Sequence, residues 1–224
     1  MEGERWLKIL CISAANVLQA KDNSASTKVC RMIEDMLLAQ LPGARVETLP
    51  LVDLELRFCT MCGDCAETLS CPYDSAFNHV FEQMKQADAI FVVCPHYALI
   101  PAKLVLILEK LEEMAYIKYV QRDLKHYPLR SKPVGLVAHG GLCGEEVDQY
   151  YIEGLLEPLA KAFQSCGFKP VSPDGQNKGV VFGVKGYLPV EGSVFPAMDH
   201  DWAEIATRLQ PLVAQTVAIL WPEE

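Results

Sequence analysis

Short, largely apolar runs alternate along this chain with longer segments whose apolar residues recur every three to four positions. Leu7 to Ile12 is such a run and stops at Ser13, as expected of a strand buried on both faces of a parallel sheet. Ser24 to Leu41 then places Val29, Ile33, Met36 and Leu37 on one helical stripe, with Ser24 or Ser26 as N-cap and Pro42-Gly43 as the stop. Arg45 to Leu49 predicts a second strand, and Ala76 to Ala87 a second helix through Phe77, Val80, Phe81 and Met84. Ala89 to Cys94 reads as a third buried strand. Pro101 opens a third helix through Leu104, Leu108 and Leu111, a position where its missing N–H costs nothing. Residues 115–131 are mixed, carrying Tyr116, Tyr119 and Tyr127, and read as a helical extension or long loop outside the sheet. Pro133 to Ala138 is a fourth strand, Tyr150 to Cys166 a fourth helix, and Val180 to Val184 a fifth strand. Trp202 to Leu220 is a closing helix interrupted or kinked around Pro211.

Strands alternating with helices predict an α/β fold: a doubly wound, five-stranded parallel sheet in a three-layer α/β/α sandwich. The chain has 224 residues, half of them hydrophobic, which predicts one domain over residues 1–224. In such folds ligands bind outside the carboxyl ends of the strands, which directs attention to the loops after strands one, three and four. A formal net charge of −9 argues against nucleic acid as partner. No run approaches the roughly 18 to 20 apolar residues that span a bilayer, and Met1 to Trp6 lack a secretory pattern. The expectation is a cytoplasmic protein with no membrane partner.

The loop after the first strand offers Ser13 and Asn16, then Ser24, Ser26 and Thr27 at a helix start. Hydroxyls and free amides at a helix N-terminus favour an anion, and a hydroxyl-lined loop suits a terminal phosphomonoester. Ser24 and Ser26 also have a plain reading as caps. GxGxxG and GxxxxGK[ST] are missing, which disfavours a dinucleotide turn or a P-loop. After the third strand come Pro95, His96, Tyr97 and Ala98, a proline-bracketed loop whose amides can hold a planar heteroaromatic ring with Tyr97 against it. After the fourth come His139, Gly140 and Gly141, where glycine admits close backbone approach and His139 can donate to a ring carbonyl.

Nine cysteines, an odd number, cannot all pair internally. Cys11, Cys30, Cys94 and Cys166 sit in apolar segments and read as small buried hydrophobes. The others that matter form a CxxCxxCx5C run of Cys59, Cys62, Cys65 and Cys71 within a Cys-rich loop over residues 57–74. Two-residue gaps and a longer return suit the four thiolates of a [4Fe-4S] cluster, and Pro72 follows the last cysteine as in bacterial ferredoxins. Structural zinc more often uses two separated knuckles. A thiol-rich loop with a labile disulfide is the alternative.

Residues 7 to about 170 resemble the NADPH-dependent FMN reductase family of flavodoxin-like proteins, and within it the iron-sulfur flavoproteins. The resemblance rests on Ser13, the Ser24/Ser26/Thr27 helix start, Pro95-x-Tyr97, Ile100-Pro101-Ala102-x-Leu104 with Glu109-Lys110, His139-Gly140-Gly141 and the cysteine spacing. It implies that the first loop cradles the FMN phosphate and that the other two contact the isoalloxazine ring. Four departures stand out: Ala15 where an arginine is usual, Val105 where a lysine is common, Glu109-Lys110 for an aspartate-arginine pair, and a Pro95 loop one residue shorter. The function implied is a redox flavoprotein passing electrons between FMN and a cluster on Cys59, Cys62, Cys65 and Cys71. The alternatives are a cluster-free NAD(P)H-dependent FMN or quinone reductase, and a non-catalytic flavodoxin-like binding module. The implied partners are a nicotinamide or protein donor, a small-molecule or protein acceptor, and further copies of the chain in a homodimer or homotetramer, with 115–131 as contact.

Overall fold

The computed structural model describes residues 6–194 and 196–222; Met1 to Arg5, part of the segment read for a secretory pattern, lie outside them. Four consecutive β-α steps, followed by two short strands, build the sheet. β1 (Lys8–Ser13) leads through a 3-10 turn (Leu18–Asn23) into α1 (Ala25–Gln40), then come β2 (Arg45–Pro50), α2 (Ser75–Gln86), β3 (Ala89–Pro95) and α3 (Ala102–Val120). β4 (Pro133–His139) is followed by one helical stretch in three parts: α4 (Val147–Tyr151), a π-helical turn (Ile152–Leu156) and α5 (Glu157–Ser165). β5 (Lys169–Pro170), β6 (Val180–Phe182), a hairpin of β7 (Gly186–Leu188) and β8 (Ala197–Asp199), and α6 (Trp202–Leu220) complete the chain. The main sheet runs β2-β1-β3-β4-β5 with β6 also on β4, and every pairing in it is parallel. The order reverses between β1 and β3, so the ligand crevice of a doubly wound sheet lies at the carboxyl ends of those strands.

Strand alternation divides the core into two layers. Leu10, Ile12, Ile90 and Val92 face α2, α3 and α5 through Phe77, Met84, Leu111 and Phe163. Ile9, Cys11, Phe91 and Val93 face α1 and α6 through Ile33, Leu37, Leu209 and Val213. All seven residues of β3 and of β4 are buried, which is why both read as continuous apolar runs. Cys11, Cys30, Cys94 and Cys166 lie in these layers as expected. Burial pushes the Cys30 and Cys166 thiols up to about 12, so they stay protonated and inert.

Three local expectations differ from the fold. The fifth strand is split: β5 pairs with the start of β4 and β6 with its end, leaving a nine-residue excursion between them. Gly179 ends the excursion at φ +149°, where a Cβ would sit 2.3 Å from the Leu136 carbonyl oxygen. The helix predicted from Tyr150 begins at Val147. The 115–131 segment starts as the expected helical extension, α3 continuing to Val120, and Tyr127 then folds back, buried, to donate its hydroxyl to Leu111 O at 3.2 Å. α6 runs uninterrupted through Pro211. The β7–β8 hairpin has no counterpart in the sequence pattern. No helix among the described residues is long and apolar enough to cross a membrane.

Candidate functional site

Ser24 caps α1: its Oγ accepts from the Thr27 N–H at 3.2 Å, settling which serine caps. Its hydroxyl also donates to Thr27 Oγ1 at 3.0 Å, and Thr27 Oγ1 meets Ser13 Oγ at 3.0 Å. The three hydroxyls thus form a buried chain joining the end of β1 to the start of α1. Ser26 reaches further, its Oγ lying 2.8 Å from His139 Nε2 at the end of β4. These side chains satisfy one another, so an anion at this helix start would be met by main-chain amides and the helix dipole rather than by the hydroxyls; Asn16, in the same loop, is exposed.

The other two loops are tied to this one. His96 N–H donates to His139 O at 2.7 Å, carrying the β3–β4 ladder one step beyond the sheet. Ala98 and Leu99 then take φ +47° and +73°, and Tyr97 N–H closes the turn onto Leu99 O at 3.3 Å. Two successive left-handed non-glycine residues are costly backbone, of the kind that collects at ligand sites. Burial pushes the Tyr97 hydroxyl up, and the Asn16 backbone N–H opposes it, so Tyr97 reaches across to the first loop. Ser13, Asn16, Ser24, Ser26, Thr27, Pro95, His96, Tyr97, Ala98, His139, Gly140 and Gly141 therefore converge on one end of the sheet.

The His139 ring, however, points into the α1 layer. It stacks on Phe182 at 4.8 Å and 3° and is 5% exposed. Burial, and then neighbouring His200, lower its pKa to about 3, so the ring is neutral and its Nε2 is engaged by Ser26. Its main-chain carbonyl is what serves the loop. The glycines after it also have a partner within the protein. A Cβ on Gly140 would lie 2.3 Å from the Tyr151 hydroxyl, and one on Gly141 3.1 Å from Met198 Cε. Tyr151 Oη accepts from Leu142 N–H at 2.9 Å, while the Tyr187 hydroxyl donates to Gly141 O. Tyr150 flanks His96, ring centroids 5.5 Å apart.

The cysteine loop forms a separate feature. A cavity of about 550 Å³ lies between it and α3, lined by Cys59, Cys62, Cys65 and Cys71 and floored by Lys110 and Met114. Both loop ends are clamped by a buried ion pair: Lys110 Nζ lies 3.1 Å from Asp74 Oδ2, with side chains 3% and 1% exposed. Asp74 also accepts from Arg57 N–H at 2.8 Å and caps α2 through Phe77 N–H at 2.9 Å, and Lys110 donates to Arg57 O. Within the loop, Gly63 O accepts from Ala66 and Cys65 O from Leu69, and Met61, Gly63 and Leu69 take positive φ. These turns leave Cys62 exposed while Cys59, Cys65 and Cys71 are half-buried. Burial pushes the Cys65 thiol up, its own backbone N–H opposing, with Glu113, Cys59 and Cys71 adding to the rise. Among the described residues no three His, Cys, Asp or Glu side chains are gathered as a metal ion requires. The expected ligand set of Cys59, Cys62, Cys65 and Cys71 thus shares one cavity without converging on one point.

A family model for NADPH-dependent FMN reductase matches residues 7–157, from β1 to the start of α5. The chain belongs to the NADPH-dependent FMN reductase family. Among curated protein sequences none matches it. Solved structures share the fold: an NADH:FMN oxidoreductase in its apo form, 16% identical, aligns over 97% of this chain and 91% of its own at a TM-score of 0.57. An FMN-dependent NADH-azoreductase from Bacillus anthracis in complex with FMN, also 16% identical, aligns over 95% and 99% at 0.55. An oxidoreductase from Corynebacterium diphtheriae, 12% identical, aligns over 98% and 99% at 0.56. The protein is an oxidoreductase of the FMN reductase type with a flavodoxin-like fold.

For a member of the FMN reductase family, the residues that sequence reasoning missed are those that brace the loops. Lys110 had a signal: it interrupts the apolar stripe of Ile107, Leu111 and Met114 on α3, and a lysine there needs a buried partner. Tyr151 and Tyr187 had none, because nothing local to either residue points to a loop carbonyl or amide elsewhere.

Proposed function

We propose that this FMN reductase family member holds FMN across the three loops and passes electrons from a reduced nicotinamide to a small acceptor. The observation that carries the reading is the hydrogen-bonded union of the loops through Ser26–His139 and His96–His139 at the carboxyl ends of the strands beside the switch point of the sheet. The phosphate falls to the α1 N-terminus, where the first-turn amides and the helix dipole favour an anion, with Ser24 and Thr27 setting the course of the turn. The ring falls to Pro95–Ala98 and to the His139–Gly141 main chain, with half-exposed Tyr97 beside it. The bound FMN supplies the hydride and electron chemistry; the protein's residues bind, orient and shield it. One solved neighbour is described as binding FMN and another as an NADH:FMN oxidoreductase, in agreement with this assignment.

Purified protein should be yellow, release FMN on denaturation and oxidise NADH or NADPH with a quinone acceptor. Protein that neither carries nor takes up FMN would refute the reading. A second reading adds a [4Fe-4S] cluster on Cys59, Cys62, Cys65 and Cys71. It is favoured by one observation, that all four thiols line a single cavity, and it requires Cys62 to turn inward. Iron and sulfide analysis of anaerobically purified protein decides it: about four of each per chain supports the cluster, and none refutes it. We also infer a homodimer or homotetramer whose contact includes exposed Tyr116, Tyr119 and Val120 at the end of α3, testable by light scattering.

A further inference from the structure

We propose that the β7–β8 hairpin is a wall of the flavin site and that Tyr187 and Met198 determine which electron acceptors the enzyme takes. The inference rests on the FMN reading above. Tyr187 and Met198 are directly paired across the two antiparallel strands, so their side chains share one face of the hairpin. That face is turned to the loop after β4: the Tyr187 hydroxyl donates to Gly141 O, and the Met198 methyl lies 3.1 Å from where a Gly141 Cβ would be. Leu188 and Ala197, the next pair, stand on the opposite face.

Neither side chain is consumed by this contact. Tyr187 remains 48% exposed and Met198 54%, beside Leu142 at 44%. A phenol, a thioether and an isobutyl group without charge form an exposed, polarisable surface beside the Gly141 turn, which suits an uncharged planar ring. The class of acceptor is therefore a quinone or nitroaromatic, rather than a hydrophilic ion. The base of the hairpin is fixed: Lys185 N–H donates to Asp199 O at 2.8 Å, Val184 N–H to Leu142 O at 2.9 Å, and His200 stacks on Trp202 at 4.8 Å. Among the described residues three pairs, Gly186–Asp199 at the base, Tyr187–Met198 and Leu188–Ala197, hold the strands together, and the Tyr187–Gly141 bond and the Met198 contact attach them to the loop after β4.

The test compares FMN-loaded wild type with Tyr187→Phe, Met198→Ala and Leu188→Ala, using 2-methyl-naphthoquinone and ferricyanide as acceptors. The readout is the ratio of kcat/KM for the quinone to that for ferricyanide, with flavin content as a check on folding. The ratio should fall about tenfold in Tyr187→Phe and Met198→Ala, mainly through the quinone KM, the size of one lost hydrogen bond or one lost apolar contact. Leu188→Ala should leave it unchanged. A ratio within about twofold of wild type in both test variants overturns the proposal, and so does an equal fall in Leu188→Ala, which would assign the effect to hairpin stability. Wild type that takes up no FMN fails earlier and refutes the flavin reading itself.

Discussion

Lys110→Met tests whether the buried ion pair holds the cysteine loop. The substitution keeps the volume and apolar stem but removes the ammonium from a site where both partners are at most 3% exposed. Asp74 would keep two amide donors, from Arg57 and Phe77, and lose its only cationic neighbour among the described residues. Leaving a carboxylate buried without its countercharge costs about 3–5 kcal/mol, a large part of a typical folding free energy. Asp74→Asn should cost less, because asparagine can still cap α2. In the double variant Asp74→Asn/Lys110→Met both charges are gone, so it should be more stable than Lys110→Met alone. Urea unfolding at pH 7, followed by circular dichroism, measures the cycle. Two results would refute the reasoning: Lys110→Met within about 1 kcal/mol of wild type, or a double variant that loses the sum of the two single losses. The same assay has a pH arm. Burial is the largest influence on Asp74 and raises its pKa, but the Phe77 and Arg57 amides together with Lys110 outweigh it and hold the carboxyl below its ordinary value. A depressed carboxylate stabilises above its unfolded pKa, and that stability is lost only as pH falls below about 4. Without Lys110 the burial influence faces two donors instead of three, so acid unfolding should begin at higher pH. Since the pair fixes both ends of the loop, an aromatic disulfide reagent should also modify Cys59, Cys65 and Cys71 faster in Lys110→Met.

His139 should make the fold acid-sensitive in a different window. Its folded pKa of about 3 lies below the unfolded value near 6.5, so its contribution is full above pH 6.5 and declines from there toward pH 3. The loss amounts to about 2 kcal/mol between pH 7.5 and 5, read by urea unfolding; an imidazole signal from His139 titrating near pH 6.5 would contradict it. Gly140→Ala should cost about 1–3 kcal/mol, because its Cβ would meet Tyr151, and a Tyr151→Leu background should relieve most of that loss in thermal unfolding. Ser24→Ala removes the α1 cap and one partner of Thr27, and should lower stability by about 1 kcal/mol and weaken FMN retention; unchanged flavin affinity would separate the cap from the phosphate site.

Much of the fold was legible because burial on both faces writes itself into the chain. β3 and β4 are apolar at nearly every position, and α1 and α2 carry their stripes, with Ser24 among the candidate caps of α1. What escaped is what local pattern cannot encode. β5, β7 and β8 have only two or three residues each, too short for any period to appear. The cysteine run was legible as a motif, yet its turns, set by the clamp at residues 57 and 74, do not follow from spacing.

The third loop shows how far the same residues can support different arguments. Glycines at 140 and 141 were read as room for a ligand, yet the space is taken from within by Tyr151 and Met198. A missing Cβ records that something lies close; it does not record what. His139 carried a stronger clue. Val137 packs in the α1–α6 layer, and with a period of two His139 must point the same way, toward Ser26 and Phe182 and away from the crevice. Alternation alone therefore assigns the His139 ring to bracing the loops and leaves its backbone, with the Gly140–Gly141 turn, on the side of the flavin site proposed above.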